Sequence, residues 1–351
     1  MIAILSVTQG EGHGAETVLL ELLRGINDKN VYRIIAVKGS KIAREAALLA
    51  YDVRELDVSR DSILHHGRAL PALKKQALGC RLIHAWTARG FDPAFLCARS
   101  LNIQFSGTLH DHPKAMFHGK FRQRLMRICA NRMNALVCVS NATATEARRA
   151  QYKDPINVIT NGLKDFAPSH PLNQRSPSQS ASPKIAFLGM YTAWKGFSII
   201  REWIEELTSP AEWNLYGDVG ADVQPLTVGL PDHVRVCGRQ SIDRILSDND
   251  LLVHASTHFD PYPTVLLEAA CYGRGVIACD LGGASEIVEE SVTGFLFKPS
   301  EKSKGFGALA HLCESANLRE ELGRKARERY EKHFQLAQMV EKYECFWASI
   351  G

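Results

Sequence analysis

Short apolar runs alternate with stretches of helical periodicity along most of this 351-residue chain, and they do so in two successive series. That alternation constrains the fold more than any single motif. Repeated strand–helix units build a parallel sheet with helices on its faces. In the first series residues 2–7, 32–37, 82–86, 103–109, 135–139 and 156–159 read as strands. In the second, residues 184–188, 213–216, 234–237, 251–253, 275–278 and 294–297 do so. Between the series, residues 165–183 are rich in Ser, Pro and Gln and nearly free of apolar side chains, which reads as a linker. The expected organisation is an α/β chain of two doubly wound domains, over 1–164 and 184–331. After two further helical patterns in 303–331, Leu336, Met339, Val340, Tyr343, Phe346, Trp347 and Ile350 recur at helical spacing. So large an apolar stripe requires a cover.

Composition narrows the class. With 45% hydrophobic and 23% charged residues the chain reads as an ordinary globular protein. A net charge of +4 is too weak to argue for nucleic acid. No apolar run approaches the roughly 20 residues of a membrane span. Residues 2–7 have no basic segment before them and no small-residue cleavage site after, so they read as a strand and not a leader. The nine cysteines are scattered, odd in number and without a C-x-x-C pair, which suits reduced core residues of a cytoplasmic protein.

Chemistry is expected at the carboxyl ends of the strands, where open α/β sheets bind ligands. After the strand at 251–253 come a polar turn carrying Asp260 and a helical run from Val265 carrying Glu268. Free main-chain N–H groups at such a helix start, here those of Thr264 and Val265, bind anions. The two carboxylates suit hydroxyl groups instead; taken alone they also fit two solvated acids. Gly189-Met190-Tyr-Thr-Ala-Trp-Lys195-Gly196 follows the strand at 184–188, and Lys195 ahead of a helix is a point charge for a diphosphate or a plain surface lysine. Arg239 follows Gly238 at the end of a third strand. In the first series, Gly10-Glu-Gly-His-Gly14-Ala15 allows only the G-x-G-x-x-A variant of a phosphate loop. His110-Asp111 follows the fourth expected strand and fits either an acid–base or phosphate-bonding role or a loop cap. His84, His112 and His118 are less well placed. Residues 119–134 hold Lys120, Arg122, Arg124, Arg127 and Arg132 without an acid, beside Phe121, Leu125, Met126, Ile128, Cys129 and Met133. This is the pattern of a basic amphipathic helix for an anionic membrane surface, or of an outer helix packed by its apolar side.

An acid, seven residues, Glu, then a small-residue helix and Gly resembles the E-x7-E signature of retaining GT-B glycosyltransferases, the large glycosyl transferases group 1 family. Gly14-Ala-Glu16, Asn161-Gly162, Gly282-Gly-Ala-Ser-Glu286 and Thr293-Gly-Phe-Leu-Phe297 are similar to further blocks of that family. Asp260 replaces the usual Glu, Pro263 a common Gly, and Met190 the Arg of a G-R-x-x-x-x-K-G block. The resemblance implies two Rossmann-like domains facing a central cleft, with the last helix, 332–351, packed back on the N-terminal domain. It implies transfer of a sugar, with retained anomeric configuration, from a UDP- or GDP-sugar to a glycan or lipid-linked acceptor. Asp260 and His110 would be catalytic, Asp260 on hydroxyls of the moving sugar. Glu268 would hold the ribose hydroxyls. Gly189, Lys195, Thr264 and Val265 would meet the diphosphate, Arg239 would assist or lie beside the base, and Gly14 would approach the donor. No cofactor, metal or nucleic acid is expected. Asp248-Asn-Asp250 has the D-x-D form of a metal site but opens a strand at the wrong end. A non-catalytic nucleotide-sugar binder and a nucleotide-sugar epimerase of the same fold are the alternatives. A phosphorylase would need a pyridoxal-binding Lys context, which has no match here.

Overall fold

The computed structural model describes residues 1–8, 14–58, 63–114, 119–166, 182–220 and 223–350. The chain forms two compact units, residues 1–164 with 336–351, and residues 165–335. Most of the expected linker, 167–181, lies outside the described residues.

The first unit runs β1 (Ile2–Ser6), α1 (Gly14–Gly25), β2 (Tyr32–Val37), α2 (Lys41–Leu48), β3 (Asp52–Leu56), α3 (Ile63–Gln76), β4 (Leu82–Ala85), α4 (Phe91–Leu101), β5 (Gln104–Leu109), α5 (Lys120–Ala130), β6 (Ala135–Cys138), α6 (Asn141–Arg149) and β7 (Ile156–Val158). Its seven strands are all parallel, in the order β3-β2-β1-β4-β5-β6-β7. Side chains alternate across a strand, so β1 sends Ala3 and Leu5 into one core and Ile2 and Ile4 into the other. Both faces are covered, which is why the central strands read as unbroken apolar runs. β3 escaped the sequence reading because it is an edge strand of sequence Asp-Val-Arg-Glu-Leu, tied to β2 by Arg33 Nε on Asp52 Oδ2 at 2.6 Å. His110 therefore follows the fifth strand of the chain and not the fourth. Ser140 caps α6 by accepting from the Thr143 N–H at 3.0 Å.

The second unit runs β8 (Lys184–Leu188), α7 (Phe197–Glu206), β9 (Glu212–Tyr216), β10 (Val234–Gly238), α8 (Ile242–Asp248), β11 (Leu251–His254), α9 (Thr264–Cys271), β12 (Gly275–Cys279), α10 (Ala284–Ile287), β13 (Gly294–Phe297), α11 (Lys302–Glu314) and α12 (Ala316–His333). Its six strands are again all parallel, ordered β10-β9-β8-β11-β12-β13. Ile185, Phe187, Leu251, Val253, Ile277 and Trp203 share one core.

The last helix, α13 (Leu336–Ser349), belongs to the first unit. The stripe that required a cover finds it there: Met339, Tyr343 and Trp347 are buried with α1 and one face of the first sheet. Gly25 of α1 lets the helices close up, since a Cβ there would sit 2.6 Å from Val340 Cγ2. Seven of the nine cysteines are buried, Cys237 and Cys345 being the two that are not, and all nine are free thiols.

Candidate functional site

In the second sheet the strand order reverses between β8 and β11, its central neighbours. Loops leaving two such strands at their carboxyl ends part to opposite sides and open a crevice, the preferred ligand position of this sheet type. Lys195 lies on the loop after β8, and Asp260 on the loop after β11. The topology brings them together, with Lys195 Nζ 3.0 Å from Asp260 Oδ2. Two glycines make the approach possible. A Cβ at Gly196, whose φ is +77°, would stand 1.9 Å from the Ala255 carbonyl oxygen, and one at Gly282 would stand 2.0 Å from the Asp260 carbonyl oxygen. Asp260 is fixed further by its carbonyl, which accepts from the Gly283 N–H at 2.9 Å.

The two acids have opposite surroundings. Burial alone would push the Asp260 carboxyl up. A hydrogen bond from His254 and the charge of Lys195 outweigh it and hold the group well below the usual carboxylate range. Glu268, in the second turn of α9, has no ion-pair or hydrogen-bond partner for its carboxylate among the described residues, and burial pushes its carboxyl up to about 7. The Lys195 ammonium also lies 4.3 Å from the Trp194 ring centroid. Thr264 and Val265 are the first two residues of α9, so their N–H groups have no intrahelical acceptor. Gly189, with φ +146°, begins the loop that carries Lys195, and the Gly217 backbone packs against it. Met190 on the same loop is half exposed.

The expected residues are thus only partly gathered. Gly189, Lys195, Asp260, Thr264, Val265 and Glu268 share the β8–β11 exit and the helix it leads into. Arg239 stands at the end of the edge strand β10 and is paired with Asp218, Nε to Oδ2 2.6 Å. Asp250 hydrogen-bonds the Lys184 N–H at 2.8 Å, which ties β11 to β8 at their amino ends. Asp248 is the last residue of α8. The second half of the D-x-D is therefore spent on strand pairing. No cluster of three or more His, Cys, Asp or Glu suited to a metal occurs among the described residues. His254 was missed by the sequence reading. Its Nε2 lies 3.5 Å from Asp260 Oδ2 and 3.2 Å from Ser256 Oγ. The one available signal was a polar residue ending an apolar strand.

In the first unit the order reverses between β1 and β4. His110 leaves the next strand, β5, its ring centroid 4.9 Å from that of Trp86. Its Nε2 is buried with no hydrogen-bond partner among the described residues, and burial pushes the imidazole down to about 3. His110 is therefore a neutral hydrogen-bonding group. Gly14 opens α1, and a Cβ there would meet nothing within 4 Å. Residues 9–13 of the glycine-rich turn, and His118, lie outside the described residues. His84 is a core histidine between Ser106 Oγ, 2.8 Å, and Thr108 Oγ1, 3.0 Å. His112 is paired with Glu146 at 3.3 Å.

The basic helix is α5, shorter than 119–134. Its buried face is Met126, Cys129 and Ala130, while Phe121 is 73% exposed and Ile128 41% exposed. Arg122 turns inward to buried Asp92, at 3.1 and 3.3 Å, which removes it from the exposed charge.

Residues 172–329 match the model of the family described as Glycosyl transferases group 1, and residues 12–165 match that of Glycosyltransferase Family 4. The D-rhamnosyltransferase WbpZ of Pseudomonas aeruginosa is 26% identical over 225 residues, 61% of this chain and 59% of that protein. The alpha-D-kanosaminyltransferase of Streptomyces kanamyceticus is 27% identical over 192 residues, 52% of this chain and 44% of that one. The chain thus spans about half the length of the curated relatives it matches. Among solved structures, Anabaena HepE in complex with UDP and glucose superposes with a TM-score of 0.85 at 20% identity, covering 99% of both chains. This likeness shows the fold, two Rossmann-like α/β domains of the GT-B class.

Proposed function

We propose that this chain, which carries a Glycosyl transferases group 1 domain, moves a sugar from a UDP- or GDP-sugar to a glycan or lipid-linked acceptor and retains the anomeric configuration. The observation that carries the reading is the Lys195–Asp260 pair at the β8–β11 exit, directly ahead of α9 and Glu268. A diphosphate needs positive potential, and Lys195 with the first N–H groups of α9 supplies it. Glu268 accepts hydrogen bonds from the ribose hydroxyls, most strongly when it is ionised. Asp260 accepts them from the transferred sugar.

In the reaction the bond from the anomeric carbon to the diphosphate oxygen breaks. A bond to the acceptor oxygen forms on the same face, and the acceptor's proton leaves with the nucleoside diphosphate. Negative charge grows on the leaving oxygens, where fixed donors stabilise it. His110 takes part as a neutral imidazole. Fixed protein charge makes a divalent ion unnecessary in this scheme. The exposed part of α5, with Phe121 and Ile128 beside Lys120 and Arg124, is proposed to rest on an anionic membrane where a lipid-linked acceptor is held. That would make the protein cytoplasmic and peripheral.

Met190 favours one second reading. Without an arginine there, a protein that binds nucleotide sugar and does not turn it over is the alternative. A thermal-shift panel of UDP-glucose, UDP-N-acetylglucosamine and GDP-mannose identifies the donor, because a ligand of the folded state raises the melting temperature. Release of nucleoside diphosphate then separates enzyme from binder, and the anomeric proton coupling of the product reads retention. No stabilisation by any nucleotide sugar or free nucleoside diphosphate would reject the reading.

A further inference from the structure

β11 is buried along its whole length, yet its last residue is His254, 4% exposed, in a position that an aliphatic side chain would fill. Its ring has two nitrogens in different surroundings. Nδ1 is buried without a hydrogen-bond partner among the described residues. Nε2 faces Asp260 Oδ2 at 3.5 Å and Ser256 Oγ at 3.2 Å. The proton therefore belongs on Nε2. With it on Nδ1, a buried N–H would go unpaired while the Nε2 lone pair faced a carboxylate. On Nε2 it faces two acceptors, Oδ2 and Ser256 Oγ, and only a weakly demanding lone pair goes without a partner.

Lys195 Nζ donates to Asp260 Oδ2 at 3.0 Å, and His254 Nε2 lies 3.5 Å from the same oxygen. No described residue bonds Oδ1. Two donors on one oxygen fix the plane of the carboxylate, whereas one leaves it free to turn. In the proposed reaction Lys195 is also the cation offered to the diphosphate, so its hold on Asp260 competes with the donor. His254 has no such second task.

We infer that His254 is a positioning residue, which donates Nε2–H to Asp260 Oδ2 and keeps the other carboxylate oxygen presented to the transferred sugar while Lys195 engages the diphosphate. The role in turnover rests on the sugar-transfer reading. The hydrogen bond does not.

The test uses His254→Leu, which fills the strand position without a donor, and His254→Gln, whose amide nitrogen replaces Nε2. With UDP and UDP-glucose as probes, His254→Leu should lower kcat on the order of tenfold or more. Its Kd for UDP should stay at the wild-type value, and His254→Gln should regain most of the rate. Leu and Gln variants equal in rate, or both losing UDP affinity, would overturn the inference in favour of a merely structural histidine. An impaired Asp260→Asn beside an unaffected His254→Leu would also overturn it and leave the sugar-transfer reading standing. Imidazole nitrogen–proton correlation spectra decide the hydrogen bond whether or not UDP-glucose is the donor. The His254 signal, assigned by its loss in His254→Gln, should show the Nε2–H tautomer and shift in Asp260→Asn. An Nδ1–H tautomer, or a signal indifferent to Asp260→Asn, would contradict the assignment. Wild type that neither binds UDP nor cleaves UDP-glucose would remove the reading for this donor, and the spectra would still decide His254.

Discussion

Asp260 and Glu268 are one motif in sequence and two different chemical groups in the fold. His254 and Lys195 keep Asp260 ionised, so its contribution to stability is present above the ordinary value of 3.8 and lost only in stronger acid. Glu268 has the reverse sign. Its carboxyl is raised from 4.5 to about 7, so its contribution is complete below pH 4.5 and lost as the pH rises through about 7. Without ligand, wild type should therefore lose up to about 3 kcal/mol across that window relative to Glu268→Gln, since each pKa unit is worth roughly 1.4 kcal/mol. Melting curves of the two proteins from pH 4.5 to 8 check this; parallel curves would refute it. Nucleotide binding should show the opposite trend, with UDP affinity rising more steeply toward pH 7 in wild type than in Glu268→Gln, whose remaining slope belongs to the terminal phosphate of UDP, because the ionised acid is the stronger acceptor for the ribose hydroxyls. Met190→Arg tests the same loop. At 50% exposure the side chain has room to change, so donor affinity should rise or stay level. A sharp drop would assign Met190 a packing role.

At the scale of elements, the β11–α9 connection depends on backbone contact that only glycine allows. Gly39 and Gly282 both have positive φ, +68° and +72°, but a Cβ at Gly39 would meet nothing and one at Gly282 would collide with Asp260. Gly39→Ala should cost about 1 kcal/mol of stability. Gly282→Ala should cost more and also weaken UDP binding, read by calorimetry; two variants alike in both measurements would show that the crowding has no consequence. α5 was legible as basic and amphipathic, but not in its partners. Arg122 pairs with Asp92, thirty residues away in sequence, and no local pattern announces that. Its exposed apolar side is Phe121 and Ile128. Liposome sedimentation should show salt-sensitive binding to anionic vesicles that Phe121→Ser and Lys120→Glu each weaken. Equal binding to neutral and anionic vesicles, or none to either, would reject a membrane role.

For the whole molecule, the two parallel sheets were legible because central strands covered on both faces must be apolar, whatever the surrounding detail. β3 was not, because an edge strand is free to be Asp-Val-Arg-Glu-Leu. The acid pair was legible through its spacing within the β11–α9 connection, and Lys195 through its place in the loop after β8. His254 was hidden because a single polar residue at the end of a strand has no period, and the place of Arg239 at the sheet edge was hidden because its sequence neighbours say nothing of strand order. What remains to be tested is the chemistry itself, and it turns on where the positive charge at the diphosphate comes from. The most direct measurement is release of nucleoside diphosphate from the donor found in the thermal-shift panel, in EDTA, for wild type, Lys195→Ala and Asp248→Ala. Wild type and Asp248→Ala should turn over equally in EDTA, and Lys195→Ala should lose at least tenfold in kcat, for one charged hydrogen bond of about 1.5–3 kcal/mol. Activity abolished by EDTA and restored by Mg²⁺ or Mn²⁺, with Lys195→Ala unaffected, would contradict both the metal-free mechanism and the placing of the donor at the β8–β11 exit.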